Sequence, residues 1–285
     1  MLTAKNLPQY IKLMRADSPI GTYLVLWPTL WALWFAAEGM PSLINVVIFS
    51  LGSFTMRSAG CVINDYADRN VDKYVARTKD RPLTAGRVTD QEAKWLVLLL
   101  IFMSVLLVAA TNIFTMLLAP GALLIASIYP FMKRYTHLPQ VVLGAAFSWS
   151  IPMAFAAEMN ALTLITWLLF IANLLWVVAY DTYYAMVDRD DDIAIGIRST
   201  AILFGHHDRK VIAFLQIGFI VLMATIGWLE NIGLAYYVAL LIAAGLFIKQ
   251  SRMTKDRERM ACLKAFLNNN HVGWVILLGL ILGRL

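Results

Sequence analysis

The sequence predicts an all-α integral membrane protein with about nine transmembrane helices, and its composition and long apolar runs both support this class. Of its 285 residues, 60% are hydrophobic and 15% are charged, whereas a soluble domain averages about 45–50% apolar and about 25% charged residues. A helix crosses the hydrocarbon core in roughly 20 apolar residues, and a backbone in lipid must satisfy its own hydrogen bonds. The expected spans are 20–37, 42–63, 94–110, 113–132, 139–157, 163–187, 210–228, 233–249 and 268–284.

The first of these spans follows a basic segment and ends at Ala36-Ala37, which superficially resembles a cleaved signal peptide. Its apolar run is too long for that, and further spans follow, so we expect an uncleaved first helix. Spans three and four are separated only by Thr111-Asn112. The sequence therefore does not sharply define where span three ends and span four begins.

Basic residues lie almost entirely on one side of this arrangement. If the N-terminus is cytoplasmic, all 24 lysines and arginines except Arg284 fall on the cytoplasmic side, while the opposite loops carry Glu38, Glu158 and Glu230. This is the positive-inside bias of multi-pass proteins. It predicts a cytoplasmic N-terminus and an odd number of spans, within one domain over residues 1–285. The net charge of +6 then faces anionic lipid, and we do not expect a nucleic-acid partner.

An acidic cluster lies at the cytoplasmic end of span two. Asn64, Asp68 and Asp72 recur every four residues, with Asp65 beside them, so a continuing helix would place the three on one face. Arg57 lies two turns earlier on the same stripe. Carboxylates next to lipid are costly, which marks these residues as candidate functional groups.

A second acidic cluster lies at the cytoplasmic end of span six. Asp188 and Asp192 are again four residues apart, and Asp181 is seven residues upstream on the same side of a helix. Asp190 and Asp191 are better explained as solvated charges at a helix end. The sequence thus places two oxygen-rich faces at the same depth of the membrane.

Two such faces predict a magnesium site that holds a strongly anionic group such as a diphosphate. Mg²⁺ prefers oxygen ligands and binds through a few carboxylates together with substrate phosphates. Zinc would favour histidine or cysteine ligands. The four histidines form no HExxH motif, and Cys61 and Cys262 lie too far apart for a metal-binding CxxC pair.

Basic residues near the acidic clusters are candidate ligands for the diphosphate. The segment 77–83 carries Arg77, Lys79 and Arg81, in which arginine offers a bidentate fork and lysine a point charge. Topology-determining charge explains these residues equally well. Further candidates at the same end of the membrane are Arg15, Tyr129, Lys133 and Arg134.

These residues resemble the intramembrane aromatic prenyltransferases, whose family pattern is NDxxDxxxD on one helix and DxxxD on another. The first pattern is matched by residues 64–72 and the second by residues 188–192. The strings LWPTLW at 26–31, YPFMKRYTHLPQ at 129–140 and YDT at 180–182 are similar to the 4-hydroxybenzoate polyprenyltransferases of ubiquinone biosynthesis. This similarity extends along essentially the whole chain.

The resemblance implies nine transmembrane helices around a central cavity, in a bacterial cytoplasmic (inner) membrane, with the active site facing the cytoplasm. It implies Mg²⁺-dependent transfer of a polyprenyl chain from polyprenyl diphosphate to the ring carbon ortho to the hydroxyl of 4-hydroxybenzoate. The catalytic residues it implies are Asp68, Asp72, Asp188 and Asp192, which with Asn64 are also the expected Mg²⁺ ligands. The expected substrate-binding residues are Arg15, Arg57, Asn64, Asp65, Lys79, Arg81, Tyr129, Lys133, Arg134 and Asp181.

The residues fit this chemistry. Lys79, Arg81 and Lys133 can add to the positive charge around a leaving diphosphate. An apolar pocket shields an allylic cation from water, aromatic faces stabilise it, and an aspartate of the acidic clusters takes the ring proton. For the acceptor's carboxylate we expect Arg134 first and Arg57 second. Small residues at 144–146 and 154–157 serve either close helix packing or a lateral slot for the lipid tail.

Two other function classes also place carboxylates in membrane helices. The CDP-alcohol phosphotransferases begin their motif with Asp-Gly followed by Ala-Arg, and the sequence contains no such string. A transporter would place charged or helix-breaking residues near the midplane of paired repeats, whereas the acidic residues here gather at one edge. Within the prenyltransferase superfamily, other quinone precursors and haem or chlorophyll-type rings are alternative acceptors.

Overall fold

The structure is a computed structural model that describes residues 2–37, 39–70, 72–74 and 78–285. Every regular element of this part of the chain is helical. The all-α class predicted from composition is therefore confirmed. Besides three short 3₁₀ turns, the helices are α1 Leu7–Leu13, α2 Ile20–Ala36, α3 Leu43–Asp68, α4 Asp90–Ala109, α5 Ile113–Met132, α6 Pro139–Ser148, α7 Ser150–Met159, α8 Leu164–Ala194, α9 Thr200–Phe204, α10 Asp208–Leu229, α11 Leu234–Met253 and α12 Arg259–Arg284.

Eight helical segments among the described residues are long and apolar enough to cross a membrane. Two of them combine shorter helices, since α6 with α7 and α9 with α10 each form one candidate span. The apolar helix α2 has 17 residues and is shorter than the other candidates. The predicted spans from the second to the ninth each coincide with one of the eight, and the first coincides with α2.

The three largest differences from the expected spans, which were approximate, lie at charged ends; α4 begins and α11 ends four residues beyond their spans. Span two was expected to end at residue 63 and span six at residue 187, but α3 continues to Asp68 and α8 to Ala194. The last helix begins at Arg259 rather than at residue 268. A helix satisfies its backbone in water as well as in lipid, so it does not have to end where the apolar run ends.

An aromatic cluster in the middle of the bundle joins α2, α8 and α10. The rings of Trp31, Trp176 and Phe219 lie 5.2–6.2 Å apart and are fully buried. The indole of Trp176 donates to Asn269 Oδ1 on α12 over 2.9 Å, and that of Trp31 donates to the Gly273 carbonyl over 3.1 Å. This cluster ties α2, α8 and α12 together and so fixes the walls of the cavity described next.

Helices on the outside of the bundle are apolar where a soluble protein would be polar. Only 11% of the most apolar stretch of α5 and 28% of that of α4 are buried inside the protein. Exposed apolar surface of this extent marks a membrane interface. The chain is therefore an integral membrane protein.

Candidate active site

A cavity of about 490 Å³ opens at the end of the bundle where α3 and α8 terminate. We call this end of the bundle the acidic end. Both acidic clusters line the cavity, although they lie more than one hundred residues apart in sequence. The sequence-predicted site residues that line it are Arg15, Arg57, Asn64, Asp65, Asp68, Asp72, Arg81, Tyr129, Lys133, Asp181, Asp188 and Asp192.

The spacing of the first cluster predicted one continuous helical face, and this prediction is wrong for Asp72. Helix α3 ends at Asp68, and Asp72 reaches the cavity from a 3₁₀ turn spanning Asp72–Tyr74. Arg69 explains the early end, because its Nη1 donates to the carbonyl of Tyr66 over 2.6 Å and satisfies a helix-terminal acceptor. Only Asn64 and Asp68 keep the four-residue helical spacing.

The second cluster lies wholly on α8. Asp181, Asp188 and Asp192 all line the cavity. Asp181 precedes Asp188 by seven residues, so it lies about 10 Å from Asp188 along the helix axis, towards the middle of the bundle. Asp190 and Asp191 do not line it; both pair instead with Arg259 at the start of α12, at 3.3 and 3.1 Å. The helix thus turns two of its four terminal aspartates towards the cavity.

Three basic side chains neutralise the first cluster. Arg81 Nη1 lies 2.9 Å from Asp65 Oδ1 and 2.7 Å from Asp72 Oδ2. Arg15 Nη2 is 3.0 Å from each Asp65 oxygen. Lys133 Nζ donates to Asp68 Oδ2. Closely spaced carboxylates repel one another, so these cations stabilise the cluster and bring positive charge into the cavity.

Arg15 adopts a backbone conformation that few non-glycine residues use. Its φ is +59°, in the left-handed region. The bond to buried Asp65 helps to hold this turn between α1 and α2 in place. A strained residue that aims a cation into a cavity is typical of a functional site.

Two predicted substrate ligands do not reach the cavity. Lys79 is exposed and does not line it. Arg134 is also exposed; its Nη2 donates to the Ala67 carbonyl over 2.8 Å, and its guanidinium lies 5.7 Å from the centre of the Phe131 ring. Arg77, the third basic residue of the segment 77–83, lies outside the described residues.

The inner wall of the cavity contains a half-buried arginine, Arg57, with unused hydrogen-bonding capacity. Within the described part of the chain, Arg57 Nε and Tyr180 Oη are buried without a hydrogen-bond partner. The Arg57 guanidinium lies 5.5 Å from the centre of the Phe147 ring, and a Cβ on Gly21 would approach Arg57 Nη2 to 2.9 Å. Buried donors left unpaired are costly, so this wall is suited to a polar ligand.

Sequence reasoning missed several residues of this wall. Phe147 and Gly21 carry no motif, because an aromatic and a glycine in membrane helices have many packing roles. Gln140 could have been found, since it belongs to the string at 129–140. It lines the cavity, and its Oε1 accepts the backbone N–H of Thr200 over 3.0 Å.

A second, apolar cavity of about 140 Å³ adjoins the first. The two share wall residues, among them Arg57, Tyr129 and Phe147. Of the small residues singled out in the sequence, Ala146 lines this cavity. Gly144 instead permits close packing, because its Cβ would lie 3.3 Å from the Leu174 backbone. Gly144 therefore serves close helix packing, whereas Ala146 borders open apolar space, and a slot for the lipid tail stays a prediction.

The first cavity fits Mg²⁺ bound together with a phosphate group. Asp68 Oδ1 is buried without a hydrogen-bond partner in the described part of the chain and is free to take a cation. Among those residues, no group of three histidines, cysteines or carboxylates converges tightly enough to hold a metal alone. Mg²⁺ commonly binds through one or two carboxylates and substrate phosphates, which is the arrangement these side chains allow.

Comparison with known proteins agrees with this geometry. The family model described as the UbiA prenyltransferase family matches residues 25–273. A 4-hydroxybenzoate octaprenyltransferase of Salmonella paratyphi B is 58% identical over 279 residues, which cover 98% of this chain and 96% of the relative.

Solved structures share the fold. The apo structure of a UbiA homologue from Aeropyrum pernix is 25% identical and superposes with a TM-score of 0.82, covering 93% of this chain and 98% of the homologue. A UbiA homologue from Archaeoglobus fulgidus, bound to GPP and Mg²⁺, is 19% identical and superposes with a TM-score of 0.71, covering 94% and 99%. On the family match and the 58% identity, the chain belongs to the UbiA prenyltransferase family.

Proposed function

We propose that this protein transfers a polyprenyl group from polyprenyl diphosphate to 4-hydroxybenzoate, as an early step of ubiquinone biosynthesis. The observation that carries the proposal is the joining of two acidic clusters, three cations and an apolar chamber in one site. The name of its curated relatives supports the acceptor and points to an eight-unit donor.

In the proposed arrangement the single domain 1–285 lies in the bacterial cytoplasmic membrane, with the acidic end in the cytoplasm. Helix α2 crosses as a ninth span, which makes the N-terminus cytoplasmic. The distribution of basic residues supports this orientation. The cavity would then open towards the cytoplasm, where it could admit a diphosphate headgroup.

The reaction breaks the bond between the prenyl carbon and its diphosphate oxygen, and it forms a bond from that carbon to the ring. Asn64 and the aspartates at 68, 72, 188 and 192 would hold Mg²⁺, which would supply positive charge for the departing diphosphate. Lys133, Arg81 and Arg15, which pair with Asp68, Asp72 and Asp65 on the same wall, add positive charge beside the diphosphate. Inorganic diphosphate leaves, and a carboxylate of the cavity takes the ring proton.

Arg57 is the better candidate for the acceptor's carboxylate. The sequence favoured Arg134, but that side chain is exposed and does not line the cavity. Arg57 lines both cavities and has a buried Nε without a partner in the described part of the chain. A carboxylate bound there would hold the acceptor ring between the acidic end and the apolar chamber.

The apolar chamber is proposed to hold the part of the prenyl chain next to the reacting carbon. Gly52 lines it, and a Cβ at this position would meet nothing within 4 Å. We expect Gly52→Leu to raise the KM for a long donor about tenfold, since filling a fitted apolar pocket costs about 1–3 kcal/mol. Donor KM is measured at saturating acceptor. Gly245→Leu is the matched control, because that helical glycine also has open space but lines neither cavity; an equal effect of both changes would reject the assignment.

The activity itself is tested with the purified protein in lipid vesicles, supplied with octaprenyl diphosphate and 4-hydroxybenzoate. With Mg²⁺ present we expect mass spectrometry to detect the 3-prenylated acid and inorganic diphosphate. A chelator should abolish product, and added Mg²⁺ should restore it. If product formed with another aromatic acceptor but not with 4-hydroxybenzoate, the proposed prenyl transfer would stand and the proposed acceptor would be rejected. No product with any donor and acceptor pair would overturn the proposal.

A further inference from the structure

A buried ion cluster behind the active-site wall is not used in the proposed chemistry. Asp208, the first residue of α10, is fully buried. Its carboxylate accepts hydrogen bonds from Arg257, at 2.9–3.1 Å, and from the Arg209 backbone N–H, at 2.6 Å. Arg189 donates to the same carboxylate. We call Asp208, Arg189 and Arg257 the rear clasp; none of the three lines the active-site cavity.

The rear clasp joins three separate parts of the chain. Arg189 belongs to α8, Asp208 begins α10, and Arg257 lies in the turn between α11 and α12. Arg257 has a φ of +56°, which is uncommon for a non-glycine residue. Its Nη2 also donates to the His206 carbonyl over 2.9 Å, so the turn is held from two sides.

Arg189 connects the rear clasp to the active site, because it lies between two aspartates of the cavity lining. It stands immediately after Asp188 and three residues before Asp192, and both of these aspartates line the cavity. Neighbouring residues on an α-helix point about 100° apart. A bond that holds Arg189 against α10 therefore also fixes the rotation of Asp188 and Asp192 about the axis of α8.

A second tether acts on the same helical segment. Arg259 at the start of α12 pairs with Asp190 and Asp191. Of the five residues 188–192, two therefore face the cavity and three are held by neighbouring helices. The tether is exposed and so contributes little, whereas the Asp208 carboxylate is fully buried.

We propose that Asp208 is a positioning residue, which orients the DxxxD aspartates of α8 for Mg²⁺ and diphosphate through Arg189. Apolar contacts alone would join α8 and α10 at lower desolvation cost than a buried ion cluster. A charged cluster instead specifies one rotation of the helix end. This role rests on the proposed function, because it concerns the diphosphate site of that reaction.

The test is Asp208→Asn, which keeps the size of the side chain and removes its charge. We expect the Mg²⁺ concentration for half-maximal activity to rise about tenfold, and the donor KM to rise with it. The KM for 4-hydroxybenzoate should change less than twofold. A residue that only stabilises the fold would lower melting temperature and active fraction without moving the Mg²⁺ requirement.

A binding readout separates this proposal from the activity. Mg²⁺ with a non-hydrolysable prenyl thiolodiphosphate should raise the melting temperature of the wild type, and the variant should need about tenfold more Mg²⁺ for the same rise. Glu230→Gln is the matched control, since it breaks the 3.1 Å pair with Arg284 at the other end of the bundle. Should Asp208→Asn not fold, Arg257→Lys keeps the charge but loses the fork, and about a threefold shift is expected. An unchanged Mg²⁺ requirement in the folded variant overturns the proposal, whereas failure of the proposed function would appear as absent product in the wild type.

Discussion

Replacing Asp68 with asparagine is expected to reduce prenyl transfer by about a thousandfold in kcat/KM, the largest effect of any single change considered. Removing one preorganised group that stabilises transition-state charge typically lowers kcat by about 10²–10³-fold. Asp68 is buried at the end of α3, and its Oδ1 has no hydrogen-bond partner in the described part of the chain. The substitution also leaves Lys133 without its carboxylate. Steady-state rates at saturating Mg²⁺ and donor measure the effect.

A double variant makes this expectation more specific. Asp188→Asn should cause a loss of similar size, and the two changes together should be far less than multiplicative, because both residues serve one diphosphate site. Asp190→Asn is the matched control on the same turn of α8, since that aspartate is exposed and pairs with exposed Arg259 outside the cavity. It should keep nearly full activity. Full turnover of the Asp68 and Asp188 variants would contradict the role of both clusters.

The acidic site could be predicted from sequence because its signal is local. Regular spacing of Asn64 with Asp68, and of Asp188 with Asp192, places each pair on one helical face whatever the tertiary fold. The apolar runs and the bias of basic residues then put both pairs at the same end of the bundle. These inferences use only helix periodicity and the length of a membrane span.

Predictions that required a helix to continue, or a side chain to point in a given direction, were less successful. Asp72 was assigned to the helical face of its cluster, but Arg69 ends α3 four residues earlier. Lys133 and Arg134 are adjacent at the end of α5, and only Lys133 reaches the cavity. Spacing alone does not tell which of two neighbours faces inwards once the helix gives way to a turn.

The rear clasp and the Arg57 wall were beyond sequence reasoning for another reason. Asp208 pairs with Arg257 across 49 residues of chain and with Arg189 across 19. In sequence, Arg189 is one of several charges in an acidic string. The burial that gives Arg57 its unpaired donor arises from α2, α3 and α6 together, through Gly21 and Phe147. Such environments exist only after helices from distant parts of the chain have packed.

The second large effect is expected at Arg57, where replacement by alanine should raise the KM for 4-hydroxybenzoate about a hundredfold. Removing one partner of a buried, hydrogen-bonded charge pair costs about 2–5 kcal/mol, and every 1.4 kcal/mol is tenfold. The donor KM should change little, because Lys133, Arg81 and Arg15 remain at the diphosphate end. Steady-state kinetics with each substrate varied in turn separates the two constants.

Two comparisons decide whether Arg57 recognises the carboxylate or merely shapes the wall. Arg134→Ala should leave the KM for the acid within twofold of the wild type, since that side chain is exposed and lies outside the cavity lining. If Arg134→Ala raised the KM for the acid strongly and Arg57→Ala did not, Arg134 would be the residue that binds the carboxylate. Phenol, which has the same ring and hydroxyl without the carboxylate, should be a poor acceptor for the wild type and equally poor for the Arg57 variant. Because a ligand without a carboxylate cannot lose a pairing with the guanidinium, a proportional loss on both acceptors would mean that Arg57 supports the fold of the wall and does not bind the acid.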